Sequence, residues 1–280
     1  MRKSMFICPD CGGVLERDEH VCRCGKGHCF DIAKEGYVNL LPPNRRHSNA
    51  PGDDRDMVAA RTLFLNGGWY APLRDSLSGA VSAWPEEEPV LLDAGCGEGY
   101  YTAALYEAVA RKNGRAGGAD LSKAAARRAA KRCPDAEIAV ASVYHLPVAD
   151  RSVDILVNCF SPMAEGEFAR VLKPGGLFLY VVPGPGHLWE MKEVLYENPY
   201  VNELREERYA LFEPLPEIPL RFRFRLERRE EIMALFRMTP YAWKTPKKGV
   251  ERLSELPELE VTAEFRILRF RRAGEDQGRH

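Results

Sequence analysis

The residues best suited to chemistry lie between positions 89 and 120. Pro89-Val90-Leu91-Leu92-Asp93 is an apolar run that ends on an acid, and Ala94-Gly95-Cys96-Gly97-Glu98-Gly99 follows it directly. This order reads as strand, glycine-rich turn, then helix from Tyr100. Gly95, Gly97 and Gly99 let the backbone turn sharply and approach a ligand closely. The spacing is Asp-x-Gly-x-Gly-x-Gly rather than the G-x-G-x-x-G of dinucleotide sites. Asp93, at the strand end, can face a ligand ammonium group. Ala116-Gly117-Gly118-Ala119-Asp120 reads as a second strand ending in an acid, which can accept hydrogen bonds from two ribose hydroxyls. A ligand with an ammonium group and no phosphate fits S-adenosylmethionine better than a nicotinamide dinucleotide. Leu146-Pro147 is expected to pass near its adenine.

A second cluster opens the chain. Five of the 8 cysteines fall within the first 29 residues: Cys8, Cys11, Cys22, Cys24 and Cys29. In a cytosolic chain this points to metal rather than disulfides. Cys8-x2-Cys11, a 12-residue spacer and Cys24-x3-His28 offer four soft ligands of the kind that suit tetrahedral zinc. Gly12 and Gly13 permit the tight turn that aims backbone N–H groups at thiolates. So short a segment has little core of its own, and the metal would carry much of its folding energy. Cys22 and Cys29 are spare thiols, so spacing alone leaves the ligand set open. No open coordination position is implied, and the metal reads as structural.

These sites need elements to hold them. Helices are expected at 57–65, 69–83, 122–133 (with Ser122 as N-cap), 168–172 and 229–237, and strands at 138–142, 152–158, 177–182, 220–226 and 259–271. Strands alternating with helices make an α/β fold, a doubly wound sheet completed as a mixed sheet by the last strands. A polar linker is expected over 44–56, an elaboration over 187–217, and a frayed tail over 273–280.

Composition narrows the partners. The 280 residues are 45% hydrophobic and carry a net charge of −1, which disfavours a purely electrostatic nucleic-acid binder. Basic clusters at 123–132 and 221–229 read equally as solvated faces or as grips for a polyanion. No apolar run approaches the about 20 residues of a membrane span, and the N-terminus lacks a signal-peptide apolar core, so the expected location is cytoplasmic and no membrane partner is expected.

The core resembles the class I, Rossmann-like S-adenosylmethionine-dependent methyltransferases through Asp93 to Gly99, Asp120, and Arg170-Val171-Leu172-Lys173-Pro174-Gly175-Gly176. Most of the chain is similar to the 23S ribosomal RNA guanine-N1-methyltransferases, which join a small N-terminal zinc-binding domain to that core. The stretches that carry this are Cys8-Pro9-x-Cys11, His28-x-Phe30-Asp31-x-Ala33 with 34–42 (Lys-Glu-Gly-Tyr-Val-Asn-Leu-Leu-Pro), Pro51-Gly52-Asp53, Gly97-Glu98-Gly99-Tyr100-Tyr101-Thr102, Pro183-Gly184-Pro185-x-His187-Leu188 and Met238-Thr239-Pro240-Tyr241-Ala242-Trp243. The resemblance implies zinc ligands at Cys8, Cys11, Cys24 and His28. It implies cofactor contacts from Tyr70, Gly99, Tyr100 and His187, beside Asp93, Gly95, Gly97 and Asp120. The implied organisation is a zinc-binding segment over 1–42, a linker and helices over 43–84, and the methyltransferase domain over 85–280.

The activity so implied moves a methyl group from S-adenosylmethionine to N1 of a guanine in a hairpin of 23S ribosomal RNA. Asn158-Cys159-Phe160-Ser161-Pro162, after the fourth strand, matches the expected motif only loosely and assigns no general base. Other readings compete: a methyltransferase for a small molecule, against which the zinc segment argues, one for another RNA, and a non-catalytic RNA-binding module, against which the intact glycine turn argues. The sequence is compatible with a homodimer and does not specify one.

Overall fold

A computed structural model describes residues 2–42, 52–203 and 208–274. Pro51, most of the expected linker and the tail beyond 274 lie outside the described residues. Four short strands form the N-terminal antiparallel sheet: β1 (Arg2–Ile7), β2 (Val14–Arg17), β3 (Val21–Cys24) and β4 (Cys29–Asp31), in that order. β5 (Val38–Asn39) leaves this unit and pairs in parallel with a strand of the large sheet.

The large sheet is built from alternating units. α1 (Arg55–Asn66) and α2 (Ala71–Ser82) precede β6 (Val90–Ala94), α3 (Tyr100–Ala110), β7 (Arg115–Asp120), α4 (Lys123–Arg132), β8 (Glu137–Val140), β9 (Val153–Cys159), α5 (Glu165–Val171) and β10 (Leu172–Pro183). Then come α6 (Trp189–Leu195), β11 (Phe212–Leu226), α7 (Arg229–Arg237), α8 (Lys247–Glu255) and β12 (Leu259–Arg272). The strand order is β11-β12-β10-β9-β6-β7-β8-β5, with β12 antiparallel to β10 and to β11. The order reverses beside β6, where a doubly wound sheet opens its ligand crevice. Ser122 caps α4 as expected, accepting from the Ala125 N–H at 3.3 Å.

Three parts of the topology differ from the sequence expectation. β11 starts at Phe212, not 220, and runs through Pro214, Pro216 and Pro219. Proline cannot donate to a ladder, but among the described residues β11 is an edge strand that pairs only with β12. The strand expected at 177–182 begins at Leu172, with a register shift before Leu177 around Gly175 (φ 77°). α6 and α8 occupy stretches for which no helix is expected from the sequence.

The N-terminal unit is fastened to the core. Ser4 Oγ donates to buried Glu137 at 2.5 Å, and the Ile7 N–H donates to the Pro147 carbonyl at 2.8 Å. Met5 and Phe6 are buried in one apolar cluster with Leu92, Ala119 and Leu156 of the large sheet. On the opposite face Phe64, Leu73, Leu105 and Ile232 pack against Leu91, Ile155 and Leu179.

Candidate functional site

The four expected metal ligands converge. The donor atoms of Cys8, Cys11, Cys24 and His28 all lie within 4.8 Å of one another. His28 Nδ1 is 3.4 Å from both the Cys8 and Cys24 sulfurs, and Cys11 and Cys24 sulfurs are 3.7 Å apart. A tetrahedral zinc with Zn–S of about 2.3 Å needs edges of about 3.8 Å between sulfurs, so the spacing fits the ion. Backbone hydrogen bonds from Asp10 and Cys11 reach the Cys8 sulfur, and others from Lys26 and His28 reach Cys24. Gly12 supplies the turn at φ 70°. The spare thiols stand apart: Cys22 is buried and Cys29 is exposed, and neither joins the four-donor group. The Cys₃His centre is that of a structural zinc, closed by protein ligands.

The glycine turn opens onto a cavity of about 320 Å³. Gly95, Cys96, Gly97, Glu98, Tyr100 and Asp120 form one wall, and 159–162 form another. Gly95, Gly97 and Gly99 have φ of 87°, 54° and 85°, conformations that L side chains rarely adopt. A Cβ on Gly95 would collide with the Ser161 side chain, and one on Gly99 would lie 2.8 Å from the Ala129 Cα. Gly97 has open space, its nearest neighbour being Arg61 at 4.0 Å.

Asp120 is held open-handed at the end of β7. Its carboxylate accepts the Gly97 N–H at 2.9 Å and the Ser122 N–H at 2.8 Å, while burial pushes its pKa up. Asp93 is fully buried just behind the turn and is not on the cavity wall. It accepts from Thr102 at 2.6 Å, and among the described residues its Oδ1 has no donor. A buried carboxyl with one empty oxygen beside a glycine turn fits a cofactor carrying an ammonium group. The Tyr100 hydroxyl and Glu98 Oε1 are likewise buried without partners among the described residues.

Tyr70 and His187 come together, but elsewhere. The Tyr70 hydroxyl is 3.5 Å from His187 Nε2, and His187 Nδ1 accepts the Glu264 N–H at 3.2 Å. Burial pushes the His187 pKa down to about 3, with the Lys192 charge adding, so the ring is neutral. Both rings pack on Phe265 rather than on the cavity. Leu146-Pro147 also departs from expectation. Leu146 is buried and its carbonyl accepts from Arg170, while Pro147 receives β1. Ser142, Val143 and Tyr144 line the cavity in their place.

Sequence reasoning missed Arg61 and Tyr144 on the wall, and it named Tyr101 and Phe160 within their stretches without giving either a role. Asp53 carried a signal in Pro51-Gly52-Asp53: it pairs with Arg61, and its carbonyl accepts from Ser122 at 2.7 Å. The basic cluster at 221–229 is largely neutralised, and the one at 123–132 only in part. Arg127 pairs with Glu35 at 2.6 Å, Arg132 with Glu98 at 2.6 Å, Arg223 with Glu260 at 3.1 Å and Arg228 with Glu231 at 2.5 Å. Among the described residues, no helix is long and apolar enough to cross a membrane.

Residues 6–49 match the zinc-ribbon family described as RlmA, N-terminal, and residues 91–176 match the methyltransferase domain family. The chain is 39% identical to a protein of Micromonospora griseorubida named as a 23S rRNA (guanine-N1)-methyltransferase, over 94% of this chain and 96% of that one. It is 34% identical to the 23S rRNA (guanine(748)-N1)-methyltransferase of Streptomyces fradiae, over 96% and 99%. A Bacillus subtilis protein named for the same activity is 33% identical over 95% and 96%. S-adenosylmethionine is the methyl donor that the core is built for, and the ribbon holds zinc. The chain belongs to the 23S rRNA (guanine-N1)-methyltransferase family.

Proposed function

We propose that this protein methylates N1 of a single guanine in a hairpin of 23S ribosomal RNA, in the cytoplasm, with S-adenosylmethionine as donor. The observation that carries the reading is the end-to-end match to the Streptomyces fradiae enzyme, zinc ribbon included. Residues 1–42 act as the zinc-binding segment, 43–84 as the connection and 85–280 as the catalytic domain. Asp120 takes the cofactor's ribose, with Gly95, Gly97 and Tyr100 in contact; Asp93 and Gly99 lie off the cavity wall and act from behind the turn, Asp93 through its buried Oδ1 toward the cofactor's ammonium end. Tyr70 and His187 belong to the site in this reading, reached through Phe265 and Phe160, whose rings are 5.5 Å apart.

The sulfonium supplies an electrophilic methyl group. What the chain's own residues supply is mainly position: a walled cavity in which donor and acceptor meet in line. Guanine N1 carries a proton that must leave. Asp53, Glu98 and Asp120, the carboxylates on the wall, are each engaged by Arg61, Arg132 or backbone N–H groups. We assign none of them as the base. The Watson–Crick edge must be free, so the target lies unpaired or is flipped out.

A methyl on N1 removes a Watson–Crick hydrogen bond and stops reverse transcriptase one nucleotide short. Primer extension on 23S ribosomal RNA should show a stop that vanishes on deletion of the gene. Identical stops with and without the gene would refute the reading. Sedimentation of the purified chain decides between one copy and a homodimer as the working unit.

A further inference from the structure

Phe160 combines three properties that packing does not explain. Its backbone sits at φ 57°, a left-handed conformation that is a genuine outlier for a bulky residue. Its side chain lies on the wall of the cofactor cavity. And 48% of the residue is exposed, so much of the ring is left free. Glycine or asparagine would take this backbone at less cost.

The turn around Phe160 is held from both sides. Asn158 is fully buried at the end of β9. Its Nδ2 donates to the Pro162 carbonyl at 3.1 Å, and its Oδ1 accepts the Ser161 N–H at 3.3 Å. Ser161 packs onto Gly95, where no side chain fits. The cofactor turn and the 158–162 turn therefore interlock, and Phe160 is the residue they leave projecting. One edge of its ring meets Phe265 at 5.5 Å between centroids, tilted by 52°. The open part faces the cavity and solvent.

We propose that Phe160 is the platform on which the target guanine stacks once it is extruded from its RNA loop. The proposal rests on the methyl-transfer reading above. An aromatic face beside the donor's cavity binds any purine π-face, and the fixed turn sets the height of the base relative to the donor. The strained backbone is retained because it aims the ring. Phe160 is thus a substrate-contacting residue without acid–base chemistry.

The test uses the full-length holoprotein, a 23S ribosomal RNA transcript and S-adenosylmethionine with a labelled methyl group. Phe160→Ala and Phe160→Leu should lower kcat/KM for the transcript roughly 10- to 100-fold, the scale of base–aromatic stacking. Both should lower kcat/KM for the transcript by far more than they lower calorimetric affinity for S-adenosylmethionine. Phe160→Tyr should restore wild-type turnover. Phe160→Gly relieves the backbone, so it should raise Tm while losing as much activity as Phe160→Ala. Wild-type turnover in Phe160→Ala, equal rescue by Leu and Tyr, or a loss that tracks weakened cofactor binding would overturn the proposal. A wild-type protein that methylates no RNA overturns the underlying reading instead, and the platform with it.

Discussion

Thr102 Oγ1 donates a 2.6 Å hydrogen bond to Asp93 Oδ2, while the sister oxygen Oδ1 is buried with no donor among the described residues. β6 supplies the acid and α3 the hydroxyl, so the pair spans the glycine turn. Burial pushes the Asp93 pKa up to about 7; the Thr102 bond opposes this and the Asp120 charge adds to it.

The sign of the resulting pH dependence follows. Between the ordinary carboxyl range and pH 7 the folded protein holds a proton that the unfolded chain has released. Stability of the ligand-free protein therefore falls as pH rises through that window. Asp93→Asn should stabilise the ligand-free protein at pH 8 by on the order of 3 kcal/mol, and by clearly less at pH 5. The same variant should weaken S-adenosylmethionine binding by on the order of 1.5–3 kcal/mol, since a charge-assisted partner is lost. Denaturant titrations at the two pH values and calorimetry check both halves. An equal gap at pH 5 and pH 8 contradicts the assignment.

The zinc centre makes a selective prediction. Purified protein should carry about one zinc, as a closed four-ligand site requires. Cys8→Ser/Cys11→Ser should release it, and so should Cys24→Ser. Cys22→Ser should keep it, because Cys22 pairs by backbone with Phe30 on β4 and lies outside the donor group. Metal analysis of the four proteins decides, and zinc retained in the double variant would show that the ligands are misassigned.

The parts legible in the sequence were those governed by local chemistry. The Cys8-x2-Cys11 and Cys24-x3-His28 spacings, and the acid-glycine turn after β6, each encode a geometry within a few residues. β11 was half legible, because Pro214, Pro216 and Pro219 argue against a strand unless the chain is known to lie at an edge. α6 and α8 have seven and nine residues, no shorter than α5 and α7, which the sequence did announce, so length alone does not explain why they were not legible. Phe160 and Arg61 reach the cavity through pairing of β9 with β6 and docking of α1, contacts that no local pattern announces. Leu146-Pro147 misled for the same reason: only the fold shows that this turn serves β1 and Arg170.

The three glycines of the turn should not respond alike. Gly95→Ala drives a methyl group into Ser161 at φ 87° and should lower both Tm and cofactor affinity. Gly97→Ala meets open space, so its cost is the left-handed backbone alone, about 1–2 kcal/mol. Gly97→Val should keep the fold and lose the cofactor, by filling the cavity from the turn. Thermal melts paired with calorimetry separate the cases. Equal melting losses in Gly95→Ala and Gly97→Ala would mean that Ser161 does not pack where it is placed.

Glu98 and Arg132 give the last prediction. Glu98 is 1% exposed, and its Oε2 takes both Arg132 at 2.6 Å and Thr62 at 3.5 Å, tying α1 and α4 to the glycine turn. Burial raises its pKa, while Arg132 and then Arg61 and Arg128 hold the charge. Removing the arginine strands a buried carboxylate, which is far worse than never having the pair. Arg132→Met should cost about 2 kcal/mol, reduced from the fully buried case because the arginine is partly exposed. Glu98→Gln/Arg132→Met should recover most of that loss. The deficit of the single variant should shrink as pH falls toward the carboxyl range, because protonation removes the stranded charge. A double variant as unstable as Arg132→Met alone, or a deficit constant from pH 8 to pH 5, would show that packing by the arginine side chain, not charge, holds this corner of the cavity.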